Sequence, residues 1–166
     1  MSNMAIILFV TGGTIDCEKI DPATNKYIFT KTHLPEMLKQ ARNRVDIELE
    51  VLLLKHSMDI TDSDRKKILQ KCKSCKEDKI VITHGTITMV ETAQFLGKSI
   101  KDKTIVLTGA IIPYNQKNSD ALFNLGCAIT AVQLLPKGVY ITMNGKIFLW
   151  NNVRKNKKLQ EFEELT

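Results

Sequence analysis

The sequence predicts an α/β fold: a mostly parallel sheet, covered by helices on both faces, in a single domain. Strand-like apolar runs alternate with helix-like segments across short links, an alternation typical of three-layer parallel sheets. The chain has 166 residues. This length suits one domain, and a domain of this size buries roughly 70% of its unfolded surface.

Strands and helices alternate five times along the chain, and the first half holds three of the predicted strands and two of the predicted helices. We expect strands at 4–10, 46–54 and 79–83 and helices at 33–43 and 62–75. Thr32 is expected to cap the first helix, and Thr61 or Asp62 the second, because such side chains accept hydrogen bonds from free helical N–H groups. Residues 16–32 form a long connection without periodicity. Since such loops are often functional, we predict a lid.

The second half continues the pattern. We expect helices at 88–97 and 119–134 and strands at 104–108, 138–142 and, after the Asn144-Gly145 turn, 146–150. No internal repeat is visible. We assign residues 1–150 to the α/β domain and 151–166 to a charged C-terminal tail, in which the segment 159–165 is expected to be helical.

Composition excludes several partner classes. The net charge is +6, but no aromatic residues interleave with the basic ones and no nucleic-acid-binding motif is present, so we expect no nucleic-acid partner. No apolar run is long enough to span a membrane and no signal-peptide cleavage pattern follows residue 10, so we expect a cytoplasmic protein without membrane contact. Cys72 and Cys75 form a CxxC pair, but no further ligands complete a zinc set; we predict no metal and no cofactor.

Two hydroxyl-bearing segments follow predicted strands. Thr11-Gly12-Gly13-Thr14 comes after strand 4–10, and Thr83-His84-Gly85-Thr86 comes after strand 79–83. Because ligands bind outside the carboxyl ends of parallel strands, one cleft is expected between them. A Gly-Gly turn lets backbone N–H groups approach an oxyanion, which makes Thr11 a candidate nucleophile; the alternative is that Thr11 only caps the turn. The glycine spacing is not that of a nucleotide-binding loop.

These segments, extended to 10–15 and 81–93, resemble the two signature motifs of the bacterial-type L-asparaginase family. Further similarity runs through 57–61, 106–110, 119–125 and 143–144. The resemblance covers nearly the whole chain but only the family's larger, N-terminal domain. It implies a flavodoxin-like fold and hydrolysis of asparagine to aspartate and ammonia, without metal or cofactor. It also implies that the family's smaller C-terminal domain, which adds substrate contacts across a subunit interface, lies outside this sequence.

The resemblance implies a role for each matching residue. Thr11 matches the nucleophile, Tyr27 the lid residue that activates it, and Ser57 the serine that holds the substrate α-carboxylate. Thr86 matches the second threonine, which orients water or the nucleophile, and Lys155 matches the lysine partner of that threonine. The substrate-binding set is Gly12, Ser57, Gly85 and Ile87.

One position departs from the family. Ile87 stands where the family has an aspartate that binds the substrate α-ammonium and pairs with the lysine. An ammonium without its partner is costly to desolvate, so we expect α-amino acids to bind poorly. If Lys155 is buried, its neutral form should be favoured. The residues themselves leave alternatives open: Lys155 as a surface charge, Tyr27 as a packing residue, and Ser57 and His84 as turn residues.

Three functions follow in order of preference. The first is an asparaginase-like amidohydrolase that cleaves a small side-chain amide with Thr11 as nucleophile. The second is a catalytically impaired protein of the same fold that binds a small amide or carboxylate, because of Ile87 and the missing domain. The third is a nucleotide- or redox-binding module, which the absence of a phosphate loop disfavours. The apolar run 147–150 predicts a homo-oligomer.

Overall fold

The computed structural model describes residues 5–165 and has the predicted α/β architecture. Met4, at the start of the first predicted strand, lies outside the described residues. The strands are β1 (Ile6–Gly12), β2 (Lys19–Ile20), β3 (Tyr27–Ile28), β4 (Ile47–Lys55), β5 (Lys79–Thr83), β6 (Thr104–Thr108), β7 (Gly138–Met143), β8 (Lys146–Leu149), β9 (Arg154–Asn156) and β10 (Glu161–Glu163). The helices are α1 (Leu34–Gln40), α2 (Asp62–Ser74), α3 (Met89–Ser99) and α4 (Ala121–Leu134).

The central sheet has six strands in the order β4-β1-β5-β6-β7-β8. The first five are parallel and β8 is antiparallel to β7. The parallel strands therefore follow the order 2-1-3-4-5, which is that of the flavodoxin-like fold class implied by the resemblance. The chain reverses its direction of winding between β1 and β5, so a crevice opens there at the carboxyl ends of the strands.

The core lies on both faces of the sheet because side chains of a strand alternate. On β1, Ile7 and Phe9 pack with residues of α2 and α3. Ile6, Leu8 and Val10 pack with residues of α1 and α4 on the opposite face. Both faces of β1 are thus buried, which explains its continuous apolar run and fixes the position of the loop that follows it.

The predicted N-cap of α2 is confirmed, whereas the predicted N-cap of α1 is wrong by one residue. Thr61 caps α2 in a capping box with Asp64, as predicted. The N-cap of α1 is His33, one residue after the expected Thr32. The Thr32 hydroxyl still accepts a hydrogen bond from Leu34 N, and it donates to the carboxylate of Asp16.

Two segments differ from the sequence-based expectation. The connection 16–32 is not irregular throughout, because β2 and β3 pair as a short antiparallel hairpin. The expected helix at 159–165 is wrong: β9 and β10 form an antiparallel hairpin, with Phe162 buried in the core beside Val153. The alternation of Glu161, Phe162 and Glu163 has the period of a strand. Within residues 5–165, no helix is both long and apolar enough to cross a bilayer.

Candidate active site

Three loops meet at the crevice between β1 and β5. Gly13 has φ +83, and a Cβ there would overlap the backbone of Gly85. A Cβ on Gly85 would in turn lie 2.8 Å from Oγ of Ser57, in the turn after β4. A Cβ on Gly12 would overlap the backbone of Lys55. The structure thus brings together the predicted residues Gly12, Ser57 and Gly85, and only glycine allows such close packing of backbones.

The first threonine of the motif does not face this crevice. Thr11 is fully buried, and its Oγ1 donates a hydrogen bond of 2.7 Å to the carbonyl oxygen of Thr83. The bond ties β1 to β5 and leaves the hydroxyl without access to a substrate. The predicted use of Thr11 as nucleophile therefore does not fit the geometry; its role here is structural.

The motif has a second threonine, Thr14, which was not among the predicted site residues. It follows Gly13 directly, opens a short 3₁₀ turn (Thr14–Asp16) and is partly exposed. Within residues 5–165 its side chain makes no hydrogen bond. The signal was present in the sequence: a threonine beyond a Gly-Gly turn lies outside the strand, whereas one before the turn can still belong to it.

Lys155 meets Thr86 across 69 residues of chain. Its Nζ donates to Oγ1 of Thr86 at 2.7 Å, and Thr86 is almost completely buried. Burial lowers the pKa of Lys155 from its usual 10.5, and the nearby charge of Lys157 lowers that pKa further. No carboxylate among residues 5–165 forms a salt bridge with Lys155. Lys155 is partly buried, and the direction of this pKa shift agrees with the expectation for a lysine that loses solvent without gaining a carboxylate partner.

A buried hydrogen-bond chain holds the Gly85 loop. His84 Nδ1 lies 2.7 Å from the carbonyl oxygen of Gly85, which can only accept, so Nδ1 carries the proton. Nε2 then accepts from the Thr92 hydroxyl at 2.8 Å, and Arg65 Nε donates to that hydroxyl at 3.1 Å. Burial lowers the pKa of His84 to about 4, and the Arg65 charge lowers it too. His84 is a neutral turn residue, as expected.

Ser57 offers an unused hydrogen-bonding group. It is buried, and its Oγ has no partner among the described residues, although its carbonyl accepts from the Thr88 hydroxyl at 2.7 Å. Tyr27, at the end of the predicted lid, stacks on His56 with ring centroids 4.0 Å apart. Since His56 directly precedes Ser57, Tyr27 covers the loop that carries the free hydroxyl.

Comparison with known proteins identifies the family to which these motifs belong. A family model described as "Asparaginase, N-terminal" matches residues 5–164. The chain belongs to the asparaginase family.

Similar proteins include full-length members of the asparaginase family. The chain is 32% identical over 161 residues to the probable periplasmic L-asparaginase of Haemophilus influenzae, covering 90% of this chain and 46% of that protein. L-asparaginase 2 of Escherichia coli is also 32% identical over 161 residues, with 90% and 46% covered. The structure of the thermostable L-asparaginase from Thermococcus kodakarensis matches with TM-score 0.83 at 30% identity, covering 97% of this chain and 51% of that one. The chain thus spans about half the length of the curated relatives it matches.

The residue that the resemblance matches to the family's aspartate is partly exposed to solvent. Ile87, next to Thr86, is 38% exposed, although the residues before it in the loop are buried. Met58, next to Ser57, is 63% exposed. No cluster of three or more His, Cys, Asp or Glu within residues 5–165 is arranged to hold a metal ion.

Proposed function

We propose that this chain carries the nucleophile and the proton acceptor of an amidohydrolase that converts a small side-chain amide to its acid and ammonia. The observation that carries the proposal is the 2.7 Å contact between Lys155 Nζ and Thr86 Oγ1. A lysine whose pKa is lowered becomes neutral at a lower pH than an ordinary lysine, and a neutral amine can accept the proton that a hydroxyl nucleophile must lose. The names of the relatives make L-asparagine the first substrate to test.

We propose Thr14, in place of Thr11, as the nucleophile. Thr14 follows Gly13 and Thr86 follows Gly85, and these two glycines are in contact, so both hydroxyls belong to one crevice. Thr14 Oγ1 attacks the amide carbon and forms a C–O bond, while its proton passes through the Thr86 hydroxyl to neutral Lys155. The C–N bond then breaks, and the nitrogen leaves as ammonia with that proton. Water next cleaves the ester and releases the acid.

Backbone N–H groups stabilise the oxyanion in this scheme. The Gly13 N–H is not available, because it donates to the carbonyl oxygen of Lys55 at 2.8 Å. The N–H groups of Gly85 and Thr86 have no acceptor among the described residues and adjoin the crevice. The His84 contact holds the Gly85 carbonyl inward, so the Thr86 N–H of the same planar peptide points the opposite way.

The remaining residues bind the substrate. The free Oγ of Ser57 is suited to a substrate carboxylate, since buried hydroxyls are normally paired. Gly12 and Gly85 allow the loops to approach closely, Ile87 lines the crevice mouth, and Tyr27 closes the lid over His56.

A second function remains open because of Ile87. With no carboxylate paired to Lys155, the chain could bind a small amide or carboxylate without turnover. This alternative function predicts that the wild-type protein releases no ammonia from asparagine and that Ile87→Asp restores the release of ammonia.

The deciding experiment compares hydroxyl variants in an ammonia-release assay. Thr14→Ala is expected to lower kcat by about 10³-fold or more, as loss of a nucleophile does. The matched control Thr11→Val keeps the side-chain shape and loses only the bond to Thr83; it should keep kcat within about tenfold of wild type while lowering stability by ~1 kcal/mol. A large kcat loss in Thr11→Val with none in Thr14→Ala refutes the assignment of Thr14.

A further inference from the structure

Two large apolar side chains flank the crevice from adjoining segments. Met58 lies in the turn after β4 and Ile87 in the loop after β5, and both are substantially exposed. The segments touch where Gly85 packs on Ser57 and where Thr88 bonds to the Ser57 carbonyl. Exposed apolar residues that adjoin a crevice are typical of a binding surface for an uncharged group.

The polar groups around the crevice offer little to a cation. Lys155 has no carboxylate partner, and the Oγ of Ser57 is unpaired within residues 5–165. The neighbouring carboxylates are engaged: Asp16 accepts from His33 N at 2.7 Å, and Asp64 accepts from Lys55 at 2.8 Å. Asp59 is exposed and makes no salt bridge within the described residues, so an experiment must exclude it as a partner for the ammonium.

We propose, on the basis of the function above, that the substrate is a monoamide of a short dicarboxylic acid with no charged amino group beside its carboxylate. Succinamate is the simplest member of this class, and asparagine differs from it by one α-ammonium. Against Met58 and Ile87, that ammonium would lose water without gaining a partner. The carboxylate common to both molecules binds the Ser57 hydroxyl.

The test measures ammonia release from succinamate and from L-asparagine by the purified protein. We expect kcat/KM to be at least about 30-fold higher for succinamate, the factor that corresponds to loss of one desolvated charge pair. Ile87→Asp should reverse the preference by supplying a carboxylate for the ammonium. Ile87→Leu is the matched control that keeps an apolar surface and should keep the wild-type preference. Asp59→Asn should also keep it.

Binding of the products provides a readout that does not depend on turnover. Calorimetry with succinate and L-aspartate should give tighter binding of succinate to the wild-type protein and to Thr14→Ala. Faster hydrolysis of asparagine than of succinamate, or tighter binding of aspartate than of succinate, refutes the proposed substrate class. The proposal that the protein is a hydrolase would still stand. If neither the wild-type protein nor Ile87→Asp releases ammonia from either amide, the proposed hydrolase activity is refuted. The binding of succinate and aspartate then tests the proposed ligand class without turnover.

Discussion

Thr11 and Thr14 lie three residues apart, but they differ in what their hydroxyls can do. The sequence places strand β1 at 4–10, which would leave Thr11 beyond its end. In the structure β1 continues to Gly12, so Thr11 belongs to the strand and bonds to the Thr83 carbonyl. Strand ends are uncertain by one or two residues, and here that uncertainty decides which hydroxyl is accessible. The motif could be predicted from the sequence, whereas the accessibility of each of its hydroxyl groups could be read only from the extent of the strand.

The contact between Lys155 and Thr86 could not be predicted from the local sequence either. Its neighbours in sequence are basic, which is typical of a solvated surface. Its contact with Thr86 depends on the β9–β10 hairpin, in which Lys155 pairs with Phe162 and the buried Phe162 fixes the strand against the core. Since β10 lies in the segment 159–165 that was expected to be helical, the partner of Lys155 rested on the resemblance alone.

The lowered pKa of Lys155 predicts how activity depends on pH. Only the neutral amine accepts a proton, so kcat/KM should rise with pH through a pKa below 10.5, the usual value. Lys155→Arg stays protonated and should lose about 10²-fold or more at every pH. Lys157→Gln removes the neighbouring charge and should move the ionisation to higher pH. Profiles that coincide for wild type and Lys155→Arg would contradict the role of Lys155.

Elements were predicted well where the apolar pattern was long and poorly where it was short. The parallel strands and the four helices follow from continuous apolar runs and helical periodicity. The hairpins β2–β3 and β9–β10 have strands of two or three residues. Such strands carry almost no periodic signal, and their pairing depends on packing against the rest of the molecule.

A pair of helical glycines tests the packing of α3 against the C-terminal segment. A Cβ on Gly97 in α3 would overlap the Trp150 ring, whereas a Cβ on Gly126 in α4 would meet nothing within 4 Å. Gly97→Ala should therefore destabilise the protein by about 1–3 kcal/mol, because Trp150 must move. Gly126→Ala should stabilise it by about 0.5–1 kcal/mol through helix propensity. Urea unfolding measures both; equal effects would show that Trp150 does not pack on α3.

For the whole molecule, the winding of the chain positions the site. Alternation of strands and helices predicts a parallel sheet but not the order of its strands, because right-handed crossovers permit several orders. The reversal between β1 and β5 brings segments about 70 residues apart to one crevice. That reversal is therefore the feature of the fold on which the proposed chemistry depends.

An apolar groove of about 570 Å³ lies on the outer side of α4, beside β8, and supports the predicted self-association. Phe123, Leu134 and Ile147 are exposed there, while Phe148 of the apolar run is buried. We predict a dimer at micromolar concentration by light scattering. Phe123→Glu should convert it to a monomer, because a charge would be buried at the interface. Gln70→Glu, on the exposed surface of α2, is the control and should leave the mass unchanged. A monomeric wild type would refute the prediction.

The site itself is tested most directly by finding the acylated residue. The protein is mixed with succinamate or asparagine, quenched in acid within the first turnovers, digested and sequenced by mass spectrometry. We expect an acyl ester on Thr14 that is absent from Thr14→Ala and retained in Thr11→Val. An ester on Thr11 or Thr86, or rapid turnover in Thr14→Ala, would contradict it.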